Sequence, residues 1–260
     1  MYKVVFYNIN EVMTVKKIKF DLTSRALHIL AMTFMLLDHM WATVCSDYSW
    51  MTQVGRIAFP IFAFMTVEGF VHTSSLKKYM GRMLLFALIT EIPFNLMLSG
   101  SIIYPYHQNV LWTFLIGLSV IYLNDRARKK GKWWLSLITA AGTALLGYVI
   151  GMITFVDYNG AGVLTVLVFY FLRERKWWCY ILQLAALYYI NVEMLQGLTF
   201  GVELFGHSFE IVQQGLALFA LPFIWLYRGR RGKKTKAFQY FCYAFYPAHM
   251  IVLWLIMTYM

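Results

Sequence analysis

The sequence predicts an all-α integral membrane protein, a polytopic bundle of about nine transmembrane helices with its N-terminus in the cytosol and its C-terminus outside. Three observations carry this. Hydrophobic residues make up 60% of the chain and charged residues only 13%, about half the charged share of a soluble domain. Apolar runs long enough to cross about 30 Å of hydrocarbon recur along the chain. The basic residues fall in alternate connections between these runs, as the positive-inside rule requires. The net charge of +11 is therefore accounted for by topology, and no basic stripe interleaved with aromatics marks a nucleic-acid surface.

Residues 1–25 read as a cytosolic segment and 26–260 as a single transmembrane domain. Lys16, Lys17 and Lys19 precede the first apolar run and no small-residue cleavage site follows it, which is the pattern of an uncleaved signal anchor; Met13 is an alternative start. Spans are expected at 26–45, 56–72, 80–98, 109–124, 133–152, 160–173, 177–191, 210–228 and 240–259, some of them short and tilted or broken. Lys3, the three lysines and Arg25 precede the first span. Lys77, Lys78 and Arg82 join the second to the third, and Arg126, Arg128, Lys129, Lys130 and Lys132 the fourth to the fifth. Arg173, Arg175 and Lys176 follow the sixth, and Arg228, Arg230, Arg231, Lys233, Lys234 and Lys236 the eighth. Arg56 is the one cation of the 23 outside this set. Gaining or losing a span would move the downstream clusters to the wrong face, so the alternation favours nine. Cys45, Cys179 and Cys242 lie at three helix ends without metal-type spacing and read as small packed residues. No pair of His or Cys has ligand spacing, so no metal is expected.

Chemistry is expected where charge interrupts the apolar runs. Leu27 to Val44, LHILAMTFMLLDHMWATV, carries Asp38 and His39 side by side. An ionisable group in hydrocarbon costs a few kcal/mol, so such groups normally face a protein-lined cavity. Consecutive helical residues point about 100° apart, so His39 is expected to face the cavity as general base while Asp38 pairs with a neighbouring helix. Arg56 sits at the outer mouth of the second span, either snorkelling or pairing with Asp38, Glu91 or a ligand anion. Glu68, eleven residues past Ile57, lies about 16 Å deeper, in the inner half. Glu91, in LITEIPFNLM, runs back to a depth comparable with His39, and Pro93 frees a carbonyl nearby. His249, beside Pro247 near mid-membrane, reads as a structural or a pocket residue. The outer segments YPYHQNVLWT, with His107 and Asn109, and VDYNGAG, with Asp157 and Tyr158, form either a pocket mouth or ordinary turns.

The stretches MLLDHM, GRIAFPIFAFMTVEGFVHT, KKYMGRMLLFALITEIPFNLML, QNVLWTFLIG, DYNGAGVL and YAFYPAHMIVL, in this order, resemble the TraX family of bacterial inner-membrane proteins. That family is named after a conjugation protein needed for N-acetylation of pilin and is related to the membrane acyltransferase superfamily. The resemblance puts family motif positions at Asp38, His39, Arg56, Glu68, Glu91, Asn95, Asn109, Asp157, Tyr158 and His249, among others. It implies acyl transfer from acetyl-CoA to an amine or hydroxyl of a pilin, peptide or cell-surface glycan. His39 would be the base, with Glu91 as rival. Arg56 or Asn109 would stabilise the oxyanion or bind acceptor. Lys77, Lys78 and Arg82 would hold the CoA phosphates, although positive-inside topology explains the same cations without a ligand. Two other classes stay open: a proton-coupled carrier, which commonly shows internal repeats that are not evident here, and a non-enzymatic subunit of a pilus or export system.

Overall fold

The computed structural model describes residues 21–204, 206–230, 232 and 235–260. The expected cytosolic segment up to residue 20, with Lys3, Met13, Lys16, Lys17 and Lys19, and the cations Arg231, Lys233 and Lys234, lie outside the described residues.

The chain enters α1 (Ser24–Thr43) through Thr23, whose hydroxyl accepts the Ala26 amide at 3.2 Å. A six-residue α2 (Trp50–Gly55) and α3 (Ala58–His72) follow as one bent rod of 23 residues. Ser75 caps α4 (Leu76–Ser99), which ends on Gly100 at φ 68°. Asn109 caps α5 (Val110–Arg128), and α6 (Trp133–Ile153), α7 (Asn159–Phe171) and α8 (Trp177–Tyr188) follow. A π-helical turn (Tyr189–Leu195) extends α8, and then come β1 (Thr199–Leu204) and β2 (His207–Val212), paired antiparallel. A 3₁₀ segment (Gln213–Phe219), α9 (Ala220–Leu226) and α10 (Lys236–Tyr259) close the chain.

Two expectations change. The span expected over 210–228 is instead the end of β2, a 3₁₀ segment and a seven-residue helix. Among the described residues five helices, not nine, are long and apolar enough to cross a membrane: Trp50–His72, α4, α5, α6 and the Ala237–Tyr259 part of α10. The shortfall is physical. Helix α7, at 13 residues, rises only about 20 Å, and α1 has the length but its apolarity is diluted by His28, Asp38 and His39. Pro93 and Pro247 do not break α4 or α10, which run through them while packing along each other.

The core lies where α1, α3, α5 and α7 meet, around the buried Leu27, Ile61, Val67, Ile121, Val166 and Phe169, and continues to Leu187 and Leu221. Helices α6 and α7 approach until a Cβ on Gly151 would come within 2.8 Å of Gly160 Cα, the small-residue contact that packs helices in lipid. The outward face of α6, with Leu137, Ile138, Leu145, Leu146 and Ile153 exposed, is apolar. An apolar area of this size belongs against hydrocarbon.

Both ends of the bundle are polar. At one, Ser24 N–H donates to Arg230 O (2.8 Å), Arg175 Nη2 to Tyr227 O (2.8 Å), and Arg230 pairs with Asp21. The α6 and α8 helices each begin there with Lys-Trp-Trp, exposed indoles under Lys132 and Lys176, as at a membrane interface. At the other end the α4–α5 and α6–α7 connections are tied by Gln108 N–H to Phe155 O (2.8 Å) and Asp157 N–H to Gln108 O (2.9 Å).

Candidate functional site

Asp38 and His39 leave α1 in different directions, as helix geometry demands, yet both line one cavity of about 210 Å³. Asp38 pairs with Arg56, whose guanidinium also reaches Thr52 O (3.3 Å), Thr52 Oγ1 (3.1 Å) and Gln214 Oε1 (3.3 Å). Gln214 in turn donates to Asn191 (2.9 Å). Four donor contacts fix Arg56 as the clamp joining α1, α2 and the 3₁₀ segment, with little left for a ligand. Gly55 makes room, since a Cβ there would sit 2.5 Å from Asp38 Cβ.

His39 Nδ1 lies 2.7 Å from His249 Nε2 on α10. His249 Nδ1 donates to Phe245 O at 2.7 Å, and its ring stacks on Phe245 with centroids 4.9 Å apart. Across the cavity Asp157 accepts from His107 Nε2 at 3.3 Å and from the Tyr158 amide at 3.1 Å. That hydrogen bond raises the His107 pKa above its usual value. Tyr158, in the left-handed region at φ 60°, stacks on Phe59 at 3.8 Å, and burial pushes its hydroxyl pKa up.

A second cavity of about 540 Å³ opens towards the basic end, lined by Arg25, His28, Glu68, His72, Tyr79 and Arg82 over apolar walls. Met35, Phe62, Val110, Phe114 and Tyr246 line both cavities, so the two abut across this septum. The cavity expected around His39 is thus the smaller of two abutting ones, and Met35, about one helical turn before His39, belongs to the dividing wall.

The site residues divide accordingly. Asp38, His39, Arg56, Asp157 and Tyr158 share the smaller cavity, with His249 immediately behind His39. Glu68 and Arg82 line the larger one, Glu68 3.4 Å from His72 and Arg82 3.3 Å from the Tyr243 hydroxyl. Lys77 and Lys78 are exposed and line neither. Glu91 lines neither cavity. Its Oε2 accepts from Asn109 Nδ2 (2.5 Å), Asn109 N–H (3.4 Å) and Trp112 Nε1 (3.0 Å), bracing the start of α5. Asn109 spends its amide on Glu91, Ala87 O and the Leu111 N–H, and Asn95 donates to Ile102 O (3.2 Å); neither lines either of these two cavities. Sequence reasoning missed Gln213 and Gln214, which hold Thr52 and Arg56. Their signal was two adjacent amides in the apolar stretch IVQQGLALF.

Together these features define a multi-helix membrane protein that gathers Asp38, His39, Arg56 and Glu68 around two abutting cavities. The TraX protein family model matches residues 23–257, and the chain belongs to that family. It is also similar to the probable fimbrial assembly protein FimC, serogroup H1, of Dichelobacter nodosus, at 28% identity over 246 residues, covering 90% of this chain and 95% of that protein. No solved structure matches.

Proposed function

We propose that this protein is an acyltransferase of the bacterial cytoplasmic membrane that moves an acetyl group from acetyl-CoA to an amine or hydroxyl of a pilin, peptide or glycan. The N-terminus and the basic end lie in the cytosol and the C-terminus outside, following the distribution of Lys and Arg. The observation that carries the reading is the pair of cavities, one from each end, meeting at a septum beside His39. A thioester entering from the basic end and a nucleophile from the other would then meet without either crossing the bilayer. Arg25 and Arg82 at the mouth of the larger cavity suit the donor phosphates, replacing Lys77 and Lys78 in that role. From Arg25 to His39 is about 21 Å of helix rise, a length suited to an extended pantetheine arm.

His39 takes the proton from the acceptor N–H or O–H as that atom attacks the thioester carbonyl carbon. The C–S bond then breaks, and the leaving thiolate recovers the proton from His39. The fimbrial assembly name of the Dichelobacter protein supports a pilin-like acceptor. The test is incubation of the purified protein with acetyl-labelled CoA and an amine or hydroxyl acceptor. Label on the acceptor or the protein supports the enzyme. Proton-dependent solute flux in liposomes without CoA supports a carrier instead.

A further inference from the structure

The geometry points to His249 as a positioning residue that locks the tautomer of His39, leaving His39 Nε2 as the bare, reactive nitrogen. This rests on the reading of His39 as the base.

The carbonyl oxygen of Phe245 can only accept, so the proton between it and His249, 2.7 Å apart, belongs to His249 Nδ1. A neutral imidazole carries one N–H, so His249 Nε2 is then an acceptor. Its partner His39 Nδ1, 2.7 Å away, must donate. One proton remains assigned to each ring, and His39 Nε2 holds a free lone pair.

The alternative is a doubly protonated His249, which would place a second positive charge beside a cavity already lined by Arg56, where the two carboxylates, Asp38 and Asp157, are committed to Arg56 and to His107. Ring geometry supports a directed bond. The centroids of His39 and His249 are 5.0 Å apart with planes inclined by 15°. That separation is the N–N distance plus about one ring radius on each side, so the imidazoles meet edge to edge in nearly one plane. His249 itself cannot rotate freely, being 7% exposed and held against Phe245.

In the transfer step His39 Nε2 accepts the proton of the attacking acceptor, and the imidazolium that forms keeps its Nδ1–H directed at His249. Later Nε2 returns the proton to the leaving thiolate, and His249 ends as it began. This is the orienting duty that a carboxylate performs for the histidine of a serine hydrolase, here carried by a neutral acceptor.

Two measurements test the inference. Nitrogen NMR of the ¹⁵N-histidine-labelled full chain in detergent at neutral pH should show both His39 and His249 protonated at Nδ1 and bare at Nε2. Free imidazoles favour the opposite tautomer, so the signature is distinctive. Protonation of His39 at Nε2, or double protonation of His249, overturns the inference. In turnover, His249→Leu should lower kcat by about 100-fold while leaving the donor KM unchanged, and His249→Gln, which restores an acceptor, should recover about tenfold. Wild-type kcat in His249→Leu, or no rescue by glutamine in a folded variant, also overturns it. If the wild-type protein transfers no acetyl group but shows the Nδ1–H signature, the acyltransferase reading fails while the positioning stands.

Discussion

Asp38 on α1 and Arg56 at the α2–α3 junction form an ion pair in the wall of the cavity that His39 lines. The side chains are 17% and 21% exposed, so losing one partner leaves a largely desolvated charge. Asp38→Asn is expected to destabilise the protein by about 2 kcal/mol, measured as thermal unfolding in detergent. The double variant Asp38→Asn, Arg56→Met should recover part of that loss, and a double variant worse than either single one would deny the coupling. Gly55→Ala should resemble Asp38→Asn, since the added methyl occupies the space of the Asp38 side chain.

Glu91 braces α5 by accepting from Asn109 and Trp112. Glu91→Ala is therefore expected to cost about 2 kcal/mol of stability while folded protein keeps its turnover to within a few-fold. Loss of kcat at unchanged thermal stability would restore Glu91 as a catalytic candidate.

The His107–Asp157 pair has a pH signature. The hydrogen bond to Asp157, opposed by partial burial, raises the folded pKa of His107 above the unfolded value of about 6.5. The folded state therefore binds the proton more tightly, and the stabilisation is complete below the unfolded pKa and lost as pH rises through the raised folded value. Melting temperature should fall across that interval in the wild type, and the increment should vanish in His107→Gln. An unchanged pH dependence in the variant would place the titrating group elsewhere.

At the donor end, Arg82→Met should raise the KM for acetyl-CoA by about tenfold or more and Lys78→Met should not, because Arg82 lines the larger cavity and Lys78 is exposed. The opposite order would move the donor phosphates to the α3–α4 turn.

Much of the site was legible because charge in an apolar run is costly and therefore conspicuous. Asp38, His39 and Arg56 stood out on that ground, and the expected pairing of Asp38 with a neighbouring helix is present. Depth along a helix could be counted, but azimuth could not. Glu91 faces the start of α5, and His249, readable as structural or as part of the pocket, turns its ring edge to His39. The positive-inside rule accounts for Lys77 and Lys78 as sequence features, and it says nothing about which cation reaches a cavity. The β1–β2 hairpin falls mostly between the expected spans 177–191 and 210–228, in a stretch read as a connection. Its period-two pattern, with Phe200, Val202, Phe209 and Ile211 on one face and Glu203 and Glu210 on the other, was available in the sequence.

The proposed function turns on one step, the activation of an acceptor by His39 against an acetyl thioester. It is tested most directly by incubating purified wild-type and His39→Ala protein with acetyl-labelled CoA and a peptide amine acceptor, after matching the two by thermal stability and elution profile. Labelled acceptor is expected from the wild type, with a loss of at least about 100-fold in His39→Ala. Comparable labelling by both proteins would contradict it.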